Sequence, residues 1–128
     1  LTPALALKGG RPFISFAVQG GDTQDQNLLQ FFLNMVEFDM NVQEAAEAAN
    51  INSYQMYSSF GSHSKEAGRI VVHKDTPPWV IKNLRSKGYN VVTRNLTSGP
   101  INAIWFDWEH GSMWGGSSNY GEDYGIGW

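Results

Sequence analysis

The stretch Pro12-Phe13-Ile14-Ser15-Phe16-Ala17-Val18-Gln19-Gly20-Gly21-Asp22-Thr23 decides the fold. Residues 12–18 are almost wholly apolar and rich in aromatic and β-branched side chains, which predicts a strand. A strand this apolar is expected to be buried on both faces. Gly20 and Gly21 end it, and an apolar-periodic run predicts a long helix over 24–38. A helix start leaves its first backbone N–H groups without intrahelical acceptors. The aligned peptide dipoles add partial positive charge at the same place. Glycine lets a ligand approach the backbone with no Cβ in the way. Val18-Gln19-Gly20-Gly21-Asp22-Thr23 is therefore a candidate anion or oxyanion site. The same residues also make a plain tight turn from strand to helix, and the physics of the segment leaves both readings open.

Upstream, residues 3–8 read as the partner strand, joined to 12–18 through the hairpin turn Lys8-Gly9-Gly10-Arg11. Downstream, Asn27, Gln30, Asn34 and Glu37 recur every three or four residues on the helix. They form a narrow polar stripe on an otherwise apolar surface, which predicts packing on most sides and a core position for Phe32. Asn41 opens a second helix over 42–49, with Glu44 as capping-box partner. Residues 50–68 read as irregular apart from a possible strand at 54–57. A strand follows at 69–73. Thr76 is the expected N-cap of a third helix, with Pro77 at its first position and Gly88 past its end. Further strands are expected at 89–93 and 101–108, with one or two short ones in the glycine-rich tail 115–128. This order predicts an α/β or α+β fold, α+β being preferred, with helices packed on sheet, in a single domain spanning 1–128.

A chain of 128 residues is long enough to bury roughly two thirds of its unfolded surface. Its composition, 41% hydrophobic and 16% charged, is globular. The net charge is −3, and without a Lys/Arg cluster nucleic acid is not an expected partner. The absence of cysteine excludes disulfides and thiolate metal sites. It leaves a cytoplasmic and a periplasmic or extracellular location equally open. No apolar run reaches the ~18 residues of a membrane span, and the first residues lack the basic region of a signal peptide. His63, His73 and His110 show no metal-ligand spacing, so neither metal nor cofactor is expected. Asp107, Glu109 and His110 cluster near a strand end, and Glu122 with Asp123 near the tail. Such clusters suit acid/base work or a solvated turn. The Trp and Tyr residues of the tail suit a sugar platform or ordinary packing.

Several phrases then converge. They are Leu1-Thr2-Pro3, Gly9-Gly10 before Pro12-Phe13, and Gly20-Gly21. Next come Leu33-Asn34-Met35-Val36-Glu37-Phe38-Asp39-Met40-Asn41, then Glu44-Ala45-Ala46, Lys87-Gly88-Tyr89 and Gly125-Ile126-Gly127-Trp128. In this order the chain resembles, over essentially its full length, the small catalytic subunit of the gamma-glutamyltransferases. The resemblance implies a four-layer αββα sandwich of the N-terminal-nucleophile hydrolases, of which this chain is the C-terminal portion of the small subunit. It implies a precursor that cleaves itself and an N-terminal Thr that attacks a gamma-glutamyl amide, with its own amino group as base. That Thr is expected upstream of residue 1, so the chain alone should be inactive, and Thr2 matches a structural strand position. Gly20 and Gly21 match the family's oxyanion hole, and Asp22 beside them is an expected substrate contact. The implied partners are a small gamma-glutamyl substrate, the large subunit and the remainder of the small subunit.

The chain also departs from the family pattern. Val18-Gln19 stands where members have Ser-Pro, Ala48-Ala49-Asn50 where they often have Ala-Pro-Arg, and Ser118-Asn119-Tyr120-Gly121 in place of an Asp-Pro-Arg. These differences mark a divergent branch, for which an acylase-like amidohydrolase is the alternative. A non-catalytic binding or assembly domain using the aromatic tail is the reading from another class. A long parent reading frame upstream of Leu1, with a Thr at a processing site, separates the enzyme readings from it.

Overall fold

The computed structural model describes residues 2–121 together with 125 and 126. The Glu122–Asp123 pair, Leu1 and the Gly127-Trp128 end lie outside the described residues. The elements in order are β1 (Ala4–Lys8), β2 (Arg11–Val18), α1 (Gln24–Val36), α2 (Val42–Glu47) and β3 (Ile51–Ser53). Then follow β4 (Arg69–His73), α3 (Pro78–Ser86), β5 (Asn90–Arg94), β6 (Ile101–Asp107) and β7 (Ser112–Ser117). They form an antiparallel sheet in the order β1-β2-β6-β7 and a smaller one in the order β3-β4-β5, whose β4/β5 pair is parallel. The fold is α+β.

The hairpin turns on Gly9 and Gly10, at φ +60° and +77°. Positive φ at both central residues matches the twist of the strands. In β2 the side chains alternate, as pleating requires. Ile14, Phe16 and Val18 are buried beneath α1 and α2, together with Ile101 and Ala103 of β6. Phe13, Ser15 and Ala17 are only partly buried. Among the described residues only one face of β2 is covered, by the helices. The other face carries a shallow hollow of about 420 Å³ lined by Ser15, Ala17, Asn102, Ile104 and Gly115.

Helix α2 sits close on the sheet. A Cβ added at Gly116 of β7 would lie 2.8 Å from the carbonyl oxygen of Val42, so only glycine permits the approach. Its start is the expected capping box. The Asn41 side chain accepts from the Gln43 and Glu44 N–H groups, at 3.0 and 2.9 Å, and Glu44 accepts from the Asn41 N–H at 2.9 Å.

Helix α1 departs from its sequence reading at Phe32. Phe31 is fully buried, whereas Phe32 is half-buried and stacked on Phe16. Leu29, Leu33 and Val36 face outward, with Leu29 58% exposed. The polar side turns inward. The Gln26 amide donates to the Ser53 carbonyl (3.1 Å) and accepts from the Ser53 N–H (2.7 Å). Gln30 does the same with Ile51, at 2.7 and 2.8 Å. Two glutamines four apart share a helix face, and here they complete the free edge of β3 as a neighbouring strand would. Of the predicted stripe, Gln30 meets backbone rather than water, as does Gln26 beside it, whereas Glu37 is exposed.

This pairing explains why the strand lies at 51–53 and not at 54–57. Ile51 to Ser53 pair with β4 on one side and with the glutamines on the other. The Glu66 N–H then donates to the Tyr54 carbonyl (3.0 Å), closing a long excursion. Helix α3 begins at Pro78 rather than at Thr76, whose N–H donates in a turn to the His73 carbonyl (3.0 Å). Pro77, at φ −53° and ψ 135°, holds the extended geometry that a following proline imposes. Gly88 ends this helix at φ +90°, as expected. The second core is small: Ile70, Val72 and Val91, with Ile81 and Leu84 of α3 packed against them.

A candidate oxyanion site and the loop across it

At the end of β2, Val18 pairs with Ile101, and the Gln19 N–H donates to the Pro100 carbonyl at 3.1 Å. A Cβ on Gly99 would collide with the Gln19 backbone, so the segment leading into β6 clamps this residue. The chain then turns through Gly20, at φ +147°, a conformation that favours glycine. The Gln24 amide donates to the Gly20 carbonyl and accepts from the Thr2 hydroxyl. Thr2 precedes β1 rather than lying in it, which corrects its placement in a strand. Helix α1 opens with the Gln24 N–H donating to the Gly21 carbonyl (3.1 Å), and Thr23 supplies no side-chain cap. The N–H groups of Gly20 and Gly21 donate to no described residue. They are two adjacent donors at a helix start, where the dipole favours negative charge.

Asp22 is turned toward a loop. Its Oδ2 accepts from the Ser59 N–H at 2.8 Å. The Ser59 side chain first, then its backbone N–H, hold the Asp22 carboxyl below its ordinary range; burial acts the other way, and Ser58 and the charge of His63 add smaller lowering effects. The loop closes on itself. The Ser58 N–H donates to the Ser64 carbonyl (2.9 Å), and the Ser58 hydroxyl bonds the Phe60 carbonyl (3.1 Å) and N–H (3.2 Å). The Phe60 ring lies on Gly21, where an added Cβ would stand 3.0 Å from its Cε2.

Behind the turn lies a buried polar seam between the two sheets. Asn50 donates to the Asn27 Oδ1 at 2.6 Å and accepts from the Thr97 hydroxyl, while the Asn52 amide donates to the Thr97 carbonyl. Asn27 and Asn52 are essentially inaccessible, and Asn27 Nδ2 and Asn52 Oδ1 have no described partner. The seam braces the segment that holds Gln19. Sequence reasoning missed Ser59, Phe60 and all four seam residues. The available signals were the departure at Asn50 and the place of Asn27 in the polar stripe.

The other candidates stand elsewhere. Asp107 closes the β6–β7 turn, accepting from the Glu109 and His110 N–H groups (3.2 Å each) and from the His110 ring (2.8 Å). This turn is at the opposite end of the sheet from Gly20 and Gly21. An aromatic-lined hollow of about 910 Å³, with Phe13, Phe32, Trp105 and Trp114, lies at that far end too. His73 is buried and bonded to the Asn95 carbonyl (2.9 Å), and His63 to the Ser58 carbonyl (2.9 Å). Among the described residues no three His, Asp or Glu side chains gather as metal ligands, and no helix is long and apolar enough to cross a membrane.

Comparison with known proteins agrees with this architecture. The family model described as gamma-glutamyltranspeptidase matches residues 1–128. The glutathione hydrolase proenzyme of Bacillus subtilis (strain 168) is 29% identical over 128 residues, 98% of this chain and 20% of that protein. The acylase ACY 1 proenzyme of Pseudomonas sp. (strain SE83) is 27% identical over 107 residues, 84% of this chain and 17% of that protein. An acivicin-inhibited gamma-glutamyltranspeptidase superposes with a TM-score of 0.79 at 24% identity, covering 95% of this chain and 61% of its own. The chain spans about a fifth of the length of the curated relatives it matches. The fold is shared with that solved gamma-glutamyltranspeptidase, and over its whole length the chain belongs to the gamma-glutamyltranspeptidase family.

Proposed function

We propose that this chain is the C-terminal portion of the small subunit of an enzyme that hydrolyses or transfers gamma-glutamyl groups from glutathione-like amides. The observation that carries the reading is the pair of adjacent N–H groups of Gly20 and Gly21. They are fixed between a clamped strand end and a helix start and have no described acceptor. The nucleophile is the N-terminal Thr of the processed subunit, upstream of residue 1. Its hydroxyl attacks the amide carbonyl while its amino group takes the proton. The carbonyl oxygen becomes an anion held by the two glycine N–H groups. Collapse of the intermediate returns the proton to the departing amine and leaves an acyl-enzyme, which water or an acceptor amine resolves. Asp22 sits beside the pair as a substrate contact, fixed by Ser59. The open face of the four-stranded sheet and the outward leucines of α1 are where the remainder of the small subunit and the large subunit pack. In the acivicin-inhibited gamma-glutamyltranspeptidase the C-terminus has critical roles in autoprocessing and catalysis, in keeping with a catalytic part for this portion.

Proline has no N–H, so Gly21→Pro removes one donor. In the intact processed enzyme kcat should fall about 10²–10³-fold, with a smaller change in ground-state binding because the charge develops only in the transition state. Circular dichroism and a check of self-cleavage exclude misfolding and failed maturation. Near-normal kcat in a folded, processed Gly21→Pro enzyme would reduce the pair to a turn.

The second reading, an acylase-like amidohydrolase, is favoured by the acylase relative and by Val18-Gln19 and Asn50. Turnover of acyl amides that lack the α-amino group of glutamate, with none of gamma-glutamyl anilide, would select it.

A further inference from the structure

We infer that Phe60 is a specificity-determining residue: its ring, held over Gly21 by the Ser58–Ser64 loop, forms an apolar wall on the leaving-amine side of the scissile amide. The inference rests on the proposed role of Gly20 and Gly21 and deepens it.

Among the described residues, Phe60 fills no core. It is 66% exposed and belongs to neither apolar cluster. Yet its position is fixed by several bonds. Ser58 pins both its N–H and its carbonyl, and the His63 N–H donates to the same carbonyl at 3.3 Å. Ser59, the residue before it, is tied to Asp22. His63 adopts φ +50° and Gly61 φ +63° within this small ring of bonds. A non-glycine residue in the left-handed region is strained and persists only where its surroundings dictate it. The chain thus commits polar bonds and backbone strain to hold an exposed apolar ring at one point, and that point is Gly21.

The oxyanion donors must lie about 2.7–3.1 Å from the reacting oxygen. A ring in van der Waals reach of Gly21 is therefore within a side chain's length of the scissile bond. The acyl half of a gamma-glutamyl donor carries an ammonium and a carboxylate, which lose hydration against an apolar surface. The substituent of the departing amine has no such penalty, and a planar one stacks on a phenyl ring. Met56 and Tyr57, both largely exposed, extend the apolar character of the same segment. The substrate class is thus gamma-glutamyl amides whose amine carries an aromatic or broad apolar group.

The test uses the mature enzyme and two donors, gamma-glutamyl-p-nitroanilide and gamma-glutamyl methylamide. Phe60→Ala should lower kcat/KM for the anilide about tenfold, mainly through KM, because stacking contributes on that scale. The methylamide should change less than about twofold, and Phe60→Trp should restore the anilide. If Phe60→Ala fails to mature, Phe60→Leu gives the same comparison with a smaller effect. Equal losses on both donors, or none on either, would overturn the inference while leaving the gamma-glutamyl reading standing. A wild-type enzyme that turns over neither donor would remove that reading, and the inference with it.

Discussion

The two sheets are joined to helix α1 by different chemistry. The four-stranded sheet meets it through apolar contacts, with Leu28 and Phe31 set among Ile14, Phe16, Val18, Ile101 and Ala103. The three-stranded sheet meets it through amides, with Gln26 and Gln30 bonded to the edge of β3. Apolar burial contributes about 1.5–3 kcal/mol per large side chain and is non-directional. A hydrogen bond contributes only about 0.5–1.5 kcal/mol net, but leaving a buried partner unpaired costs about 1–3 kcal/mol. The first contact therefore supplies stability and the second supplies position. It fixes β3 one residue at a time and satisfies an edge that would otherwise stay open.

Four substitutions probe this difference, in falling order of effect. Phe31→Ala empties the centre of the apolar contact and should cost about 3–5 kcal/mol in urea unfolding. Phe32→Ala should cost clearly less, since that ring is only half-buried. A reversed order would mean that the outer face of α1, not the inner one, carries the packing. Gln30→Ala leaves the Ile51 N–H and carbonyl without their partners, so a loss of about 1–3 kcal/mol is expected. Faster hydrogen exchange at Ile51 and Ser53 should accompany it, with the strands of the larger sheet unaffected. Exchange that rises equally in both sheets would show that the amide contact is not a separate unit. Trp79→Ala on α3 should change stability by less than about 0.5 kcal/mol. The ring is 73% exposed, and α3 has no fully buried residue. A loss above 2 kcal/mol would place α3 in a larger contact than the described one.

What the sequence disclosed follows the same division. The β1–β2 hairpin, the Asn41–Glu44 cap and the Gly88 terminus depend on neighbours within a few residues, and β4 carries an unbroken β-branched run, so all were legible. The facing of α1 was not. Periodicity reveals that Gln30 and Asn27 share a stripe, but not whether water or backbone lies opposite. β3 is three residues long and owes its existence to partners about twenty residues away on both sides, so no local pattern announces it. At the candidate site, the strand, glycine pair and helix start were visible as a contiguous phrase. The Ser59–Asp22 tie spans 37 residues, and nothing in Ser58-Ser59-Phe60-Gly61 marks that loop as anything but a turn. The Asn27–Asn50–Thr97 seam joins three segments and was hidden for the same reason.

The clamp on Gln19 also has a meaning in time. Its bonding partner Pro100 and its close neighbour Gly99 lie about eighty residues further along the chain. Closing so long a loop is entropically slow compared with forming a hairpin. During synthesis the β1–β2 hairpin and the first turns of α1 are therefore available long before the segment that fixes the strand end between them. The glycine pair takes its final shape only after β6 has left the ribosome, so a chain interrupted before residue 100 carries the residues of the site without its geometry.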